Sequence, residues 1–106
     1  MRAGRLRHTV TIEHTVSTQN AYGEMVPAWE AFATRRAAVR PLAGREYFAA
    51  SGEGAEVTHE IRLRYLDGVT TAMRIVFNTR HFDIQSVINV NERGHELIIM
   101  AVETVA

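Results

Sequence analysis

The stretch Val57-Thr58-His59-Glu60-Ile61-Arg62-Leu63-Arg64-Tyr65-Leu66-Asp67-Gly68 decides the fold. Val57, His59, Ile61, Leu63 and Tyr65 fall on one side of a two-residue period, and Arg62 and Arg64 on the other. That is the pattern of a strand with one wet and one dry face. Asp67-Gly68 closes it with a turn signal. Downstream, Met73, Ile75 and Phe77 alternate with Arg74 and Val76. Asn78 to Arg80 then leads tightly into Phe82, Ile84 and Ser86, which predicts a β-hairpin. Val87, Ile88 and Val90 carry the apolar pattern to a second turn at Asn91 to Gly94. Residues 96–105 form a last strand that is apolar on both faces and is expected to be central and buried.

Upstream the signal is weaker. Val10, Ile12 and Val16 alternate with Thr9, Thr11, Glu13 and Thr15, predicting a half-buried strand over residues 8–16, with His14 on the apolar side. Ser17 to Glu24 has turn-forming composition and reads as a long hairpin loop. Pro27 interrupts the apolar residues that return at Met25 and Val26. Between Trp29 and Val39 both helical and strand spacing can be traced, and Ala33 to Arg40 is read as a strand ending at Pro41, which has no N–H for a ladder. Arg45 to Ser51 is a short helix-compatible run bounded by Gly44, Gly52 and Gly54, too short to stand without a partner surface. Several short strands at close spacing, with at most one short helix, describe a mainly β protein: a small antiparallel barrel or sandwich with long loops. Residues 1–106 are read as one domain, without repeats or a linker.

Composition narrows the function. With 46% apolar residues in 106, one small core can form and two cannot. No run approaches the roughly 20 apolar residues of a bilayer-spanning helix, so no membrane role and an intracellular, soluble product are expected. Absence of cysteine removes disulfides, thiolate metal sites and thiol nucleophiles. The formal charge of zero argues against a free-standing nucleic-acid binder, which would carry a basic excess. All 12 basic residues are Arg, which suits interfaces but also fits a GC-rich genome.

A search for chemistry finds none. His8, His14, His59, His81 and His95 are scattered over different elements and lack metal-ligand spacing. Glu53 with Glu56 and Glu92 with Glu96 fall in loops or at strand ends, where solvated charge is the ordinary reading. Ser17, Ser51 and Ser86 have no nucleophile-elbow context, and Gly52 and Gly54 open no phosphate loop. No cofactor, metal or catalytic residue is assigned, and an enzyme is not expected. Trp29, Phe32, Tyr65, Phe77 and Phe82 are read as core packing. Trp29 is expected to anchor the core, its loss costing about 3 to 5 kcal/mol. Tyr47 and Phe48 stand apart as an aromatic pair suited to a protein contact.

Taken in order, Ala3-Gly4-Arg5-Leu6-Arg7-His8, Tyr22-Gly23-Glu24, Trp29, Ala38 to Glu46, Thr58 to Tyr65 and Arg80-His81-Phe82-Asp83-Ile84 resemble the phage head-tail joining family, also called head-closure or stopper proteins. The resemblance spans nearly the whole chain. It implies a small β-barrel subunit in the neck of a phage, prophage or gene transfer agent particle, assembled in the bacterial cytoplasm as a ring, expected to be dodecameric. An adaptor or portal ring would lie above and a tail terminator or tail tube protein below, with double-stranded DNA passing through unread. It further implies that Gly44 to Gly54 is a channel loop, with Arg45, Glu46, Tyr47 and Phe48 as gating residues between Gly44 and the pair Gly52 and Gly54. The alternatives are a small β-barrel nucleic-acid-binding module and a tail-completion protein of the same particle.

Overall fold

The computed structural model describes residues 6–42 and 57–104. Six strands occur in them: β1 (His8–Gln19), β2 (Met25–Pro41), β3 (His59–Arg64), β4 (Arg74–Phe77), β5 (Arg80–Asn89) and β6 (Glu96–Thr104). A single 3-10 turn, Val90–Glu92, is the one helical element among the described residues. Every pairing is antiparallel, and the order β1-β2-β3-β6-β5-β4 closes on itself as a barrel. Closure removes free edges from the barrel wall.

The alternation read in residues 57–66 places Ile61 and Leu63 inside the barrel and Arg62 and Arg64 outside. Val10, Ile12, Ala37, Ile75, Phe82, Ile84, Leu97, Ile99 and Ala101 complete the core. These side chains fill the narrow barrel, so it is a packed interior and not a pore. The predicted β4–β5 hairpin is present, turning at Asn78, whose φ of +57° is tolerated because its short side chain carries little penalty in the left-handed region. β6 pairs on both sides, with β3 and β5, as every strand of the closed barrel does. It alternates, however: Leu97, Ile99 and Ala101 are buried while Ile98 and Met100 are half-covered. The expectation of burial on both faces is corrected, since a barrel strand has only one inner face.

β3 and β4 stand on opposite sides of the barrel, so the chain from Tyr65 to Met73 has to cross its end. Leu66, Val69 and Met73 pack down on the core as it does. Gly68 sits there at φ +91°, and a Cβ on it would come within 3.1 Å of Phe32 Cζ. Asp67-Gly68 is therefore a turn within a lid over one barrel end, where glycine is required by both conformation and space.

Two bulges shape the sheet. One lies between Ile12 and Glu13, where Phe32 has no opposite number, and the other between Ile84 and Ser86. A bulge bends its strand and reverses the sidedness of the residues beyond it. The extra residue at the first bulge is in β2, so it is β2 whose sidedness reverses; His14 keeps the Ile12 side of β1, beyond the last core residue of that strand, and meets Phe32 edge-on at 5.6 Å. Phe32 and Tyr65, both expected in the core, are turned outward.

Candidate functional site

β1 and β2 are longer than the barrel needs. β1 bonds β4 only over Thr11 to Glu13, and β2 bonds β3 only from Ala37 to Pro41. From His14 to Gln19 and from Met25 to Glu30 the two strands pair with each other alone. They form a ribbon that projects about 20 Å at the usual rise per residue, and the longest dimension of the molecule is 48 Å against 30 and 26 Å across. The long loop expected over residues 17–24 is thus corrected: the strand runs on to Gln19 and only residues 20–24 turn. Pro27 lies inside β2 opposite Ser17, because a two-stranded arm has an outer edge whose N–H groups need no partner.

The tip of the arm is rigidly built. Asn20 Oδ1 accepts from the N–H groups of Tyr22 and Glu24 at 2.9 and 3.0 Å, and Gln19 Nε2 donates to the Gly23 carbonyl at 3.1 Å. Gly23 takes φ +83°. This side-chain turn presents Tyr22, 88% exposed, beside Glu24. Met25 and Trp29 are exposed further back. Trp29 is not the core anchor that was expected. It lies on the arm with 41% of its surface open, covered by the Arg74 guanidinium 4.2 Å from its ring, while Arg74 also donates to Glu13 at 2.8 Å.

The barrel end away from the arm carries a polar cluster. Glu103 accepts from Arg80 Nε at 2.8 Å and Nη2 at 3.0 Å, and Arg80 reaches His59 Nε2 at 3.2 Å. Arginine can only donate, so Nε2 accepts and the ring proton sits on Nδ1, which donates to Thr58 Oγ1 at 2.9 Å. Burial, and after it the charge of Arg80, lower the His59 pKa from its ordinary value of 6.5, against an opposing pull from Glu103. The Arg80 hydrogen bonds hold Glu103 below the usual carboxylate range. Nearby, Leu42 N–H donates to the Thr58 carbonyl at 2.9 Å, joining the two ends of the segment that runs from β2 to β3.

This arrangement predicts a pH dependence. Unfolded His59 binds its proton more readily than folded His59, so its contribution to stability is complete above about pH 6.5 and is lost as pH falls through the lower folded value. Thermal melts between about pH 5 and about pH 8 should show a falling midpoint on the acid side, and His59→Gln should flatten that slope. An unchanged slope in the variant would place the titration elsewhere.

On the outer wall Glu60, 7% exposed, is gripped from both sides. Arg40 donates to one carboxylate oxygen with Nε, at 2.9 Å, and Nη2; Arg62 donates to the other at 3.1 and 3.3 Å and extends to Glu96 at 3.3 Å. Among the described residues no buried side-chain N or O atom lacks a partner, and no group of three or more His, Asp or Glu side chains could hold a metal ion. The charged clusters are therefore braces, and the arm is an exposed surface that they do not cover.

Comparison with known proteins is consistent with an assembly surface. The model of one protein family, the phage head completion protein, matches residues 1–104. The chain belongs to the phage head completion protein family. It is 28% identical to protein SF1141 from Shigella flexneri 2a, whose solution structure superposes with a TM-score of 0.79 over 99% of this chain and 98% of that one. A chain in the virion of a native gene transfer agent particle is 23% identical, with a TM-score of 0.63 over 94% of this chain and 96% of that one, and so shares the fold. No curated protein matches. The resemblance read from the sequence is thereby established, and a head completion protein is a structural part of a phage-like particle with a head-tail role.

Of the residues singled out in the sequence, Gly44, Arg45, Glu46, Tyr47, Phe48, Gly52 and Gly54 lie outside the described residues. The arm was not foreseen. Its tip, Tyr22-Gly23-Glu24, appeared only as one of the motifs carrying the family resemblance.

Proposed function

We propose that this head completion protein forms a ring between the adaptor or portal and the tail, closing the filled head against loss of DNA and presenting a docking surface to the tail. The observation that carries the proposal is a braced barrel with a rigid, projecting and largely uncovered arm, in a chain that belongs to the head completion family. A ring subunit needs two different complementary faces, and an arm on one side of a barrel supplies such asymmetry. Twelve copies is the number the resemblance implies. Zero net charge suits a neck through which DNA has to slide, because dense phosphate contacts would hold it.

In this reading residues 44–54 are the channel loop. Their attachment supports the assignment: the bond between Leu42 and Thr58 closes the base of the excursion independently of what lies between. Packaging heads without the protein should yield filled heads that leak DNA and bind no tails. Imaging the necks of intact particles should show a ring of this chain. Heads that keep their DNA and accept tails without it would refute the reading. Shortening residues 44–54 to a tight turn should leave the ring in place but release DNA from tailless heads; full retention would assign closure to another protein.

Assembly should depend on a template. Each subunit interface is modest, and a ring gains from many sites presented together. The pure protein at micromolar concentration is expected to sediment as a monomer or weak oligomer. A stable ring formed without any partner would contradict this.

A further inference from the structure

On the flank of β2 and β3, Arg35, Arg36 and Arg64 edge an open cavity of about 310 Å³ with Leu6 at its apolar floor. Arg36 Nε donates to the Leu6 carbonyl at 3.0 Å and Arg35 to the neighbouring Thr34 carbonyl at 2.8 Å. Four other arginines among the described residues are engaged with carboxylates, Arg40 and Arg62 with Glu60, Arg74 with Glu13, and Arg80 with Glu103, while Arg7 and Arg93 stand apart from any cluster. Among the described residues Arg35, Arg36 and Arg64 have no carboxylate, and neither Glu24 nor Glu30 on the arm has a cation.

We infer that the arm tip of one copy seats in this cavity of the next, with the Glu24 carboxylate among the three guanidiniums and the Tyr22 ring over Leu6. The inference rests on the ring reading above and names the contact that builds it. The charges are opposite in sign: among the described residues the Glu24 carboxylate has no cation in its own subunit, and it would enter a cavity edged by three guanidiniums that have no carboxylate. The pairing cannot be made within one subunit. Glu24 immediately precedes β2 and lies eleven residues before Arg35, about 36 Å away at the usual rise. A surface that fits a different surface on an identical molecule gives a head-to-tail contact, the kind that closes into rings.

Size and order favour the same occupant. The cavity is at the small end of ligand-sized pockets, about 300 to 1,000 Å³, and so suits a turn and its side chains, not a duplex. Leu6 at its base is already only 4% exposed, so an aromatic ring there gains chiefly from stacking on the guanidinium planes, which a phosphate does not do. The tip is already fixed by the Asn20 and Gln19 hydrogen bonds, so little order is lost when it binds. An exposed tyrosine on a preorganised turn, facing arginines, has the composition of an interface hot spot.

The chain has no cysteine, so introduced pairs report contacts without background. Ala21 is exposed at the tip, and Thr9 is exposed directly opposite Arg36 on β1. In particles assembled with Thr9→Cys/Ala21→Cys, mild oxidation should give a ladder of linked subunits, and Ala21→Cys alone should give none. Adding Arg64→Glu should cut the ladder about tenfold, and adding Glu24→Arg to that should restore it. Dimers from Ala21→Cys alone would mean that arms pair with arms and would overturn the inference, as would failure of the charge swap to rescue. An intact ladder in the Arg64→Glu particles together with faster DNA loss would assign the arginines to DNA instead. A neck ring without a ladder overturns this contact only, whereas absence of a ring overturns the ring reading as well.

Discussion

Phe82→Ala is expected to remove most of the stability of the domain. Phe82 is fully buried, opposite Ile75 across the β4–β5 pair, with the His59 ring edge-on at 4.9 Å and the Arg80 guanidinium 5.1 Å from its centroid. Removing a buried phenylalanine costs about 3 to 5 kcal/mol, the loss of transfer free energy plus the cavity left behind. Domains are stable by only about 5 to 15 kcal/mol, and one of this size lies toward the lower end. Trp29→Ala should behave differently, although tryptophan is the larger residue. What it loses is the stacked guanidinium of Arg74, worth about 0.5 to 1 kcal/mol at an exposed site, and some cover along the arm. Denaturant titration of both variants checks the contrast. A folded Phe82→Ala with an unchanged midpoint, or a Trp29→Ala that unfolds, would reverse the assignment of the core.

The difference between these two aromatics shows which parts of the fold were legible. From Val57 onward each strand turns close to where its pattern ends, and the inner residues Ile61, Leu63, Ile75, Phe82 and Ile84 follow from a period of two. In β1 and β2 the local pattern holds, but its meaning depends on partners distant in the chain. Nothing in the sequence says that β4 pairs with only three residues of β1, or that β3 leaves β2 at Ala37. Without that information Trp29 and Phe32 look like core residues, since apolar side chains on a strand usually are. The bulge at Phe32 adds a reversal of sidedness that no alternation rule can anticipate. The brace on Glu60 was hidden for a similar reason: Arg40, Arg62 and Glu96 come from three different strands and meet only when β2, β3 and β6 pair side by side.

Excising the arm should separate folding from assembly. Thr15 and Trp29 are directly opposed, so deleting residues 16–28 and joining them through Asn-Gly replaces the arm with a two-residue turn. The deleted residues contribute nothing to the core cluster, and the Arg74 contacts with Trp29 and Glu13 are kept. Hydrogen bonds lost from the ribbon are regained from water, because its residues are exposed or only partly covered. The melting temperature of the shortened chain should therefore stay within a few degrees of the parent, a shift corresponding to less than about 1 kcal/mol in a domain of this size. Its incorporation into particles should fail almost completely, since each lost contact is repeated around the ring and the loss multiplies with copy number. Particle composition measured after packaging in the presence of the shortened chain checks this. Normal incorporation would mean that the barrel wall alone builds the ring and that the arm serves the docking partner instead; a chain that no longer folds would mean that the ribbon is part of the folding unit despite its distance from the core.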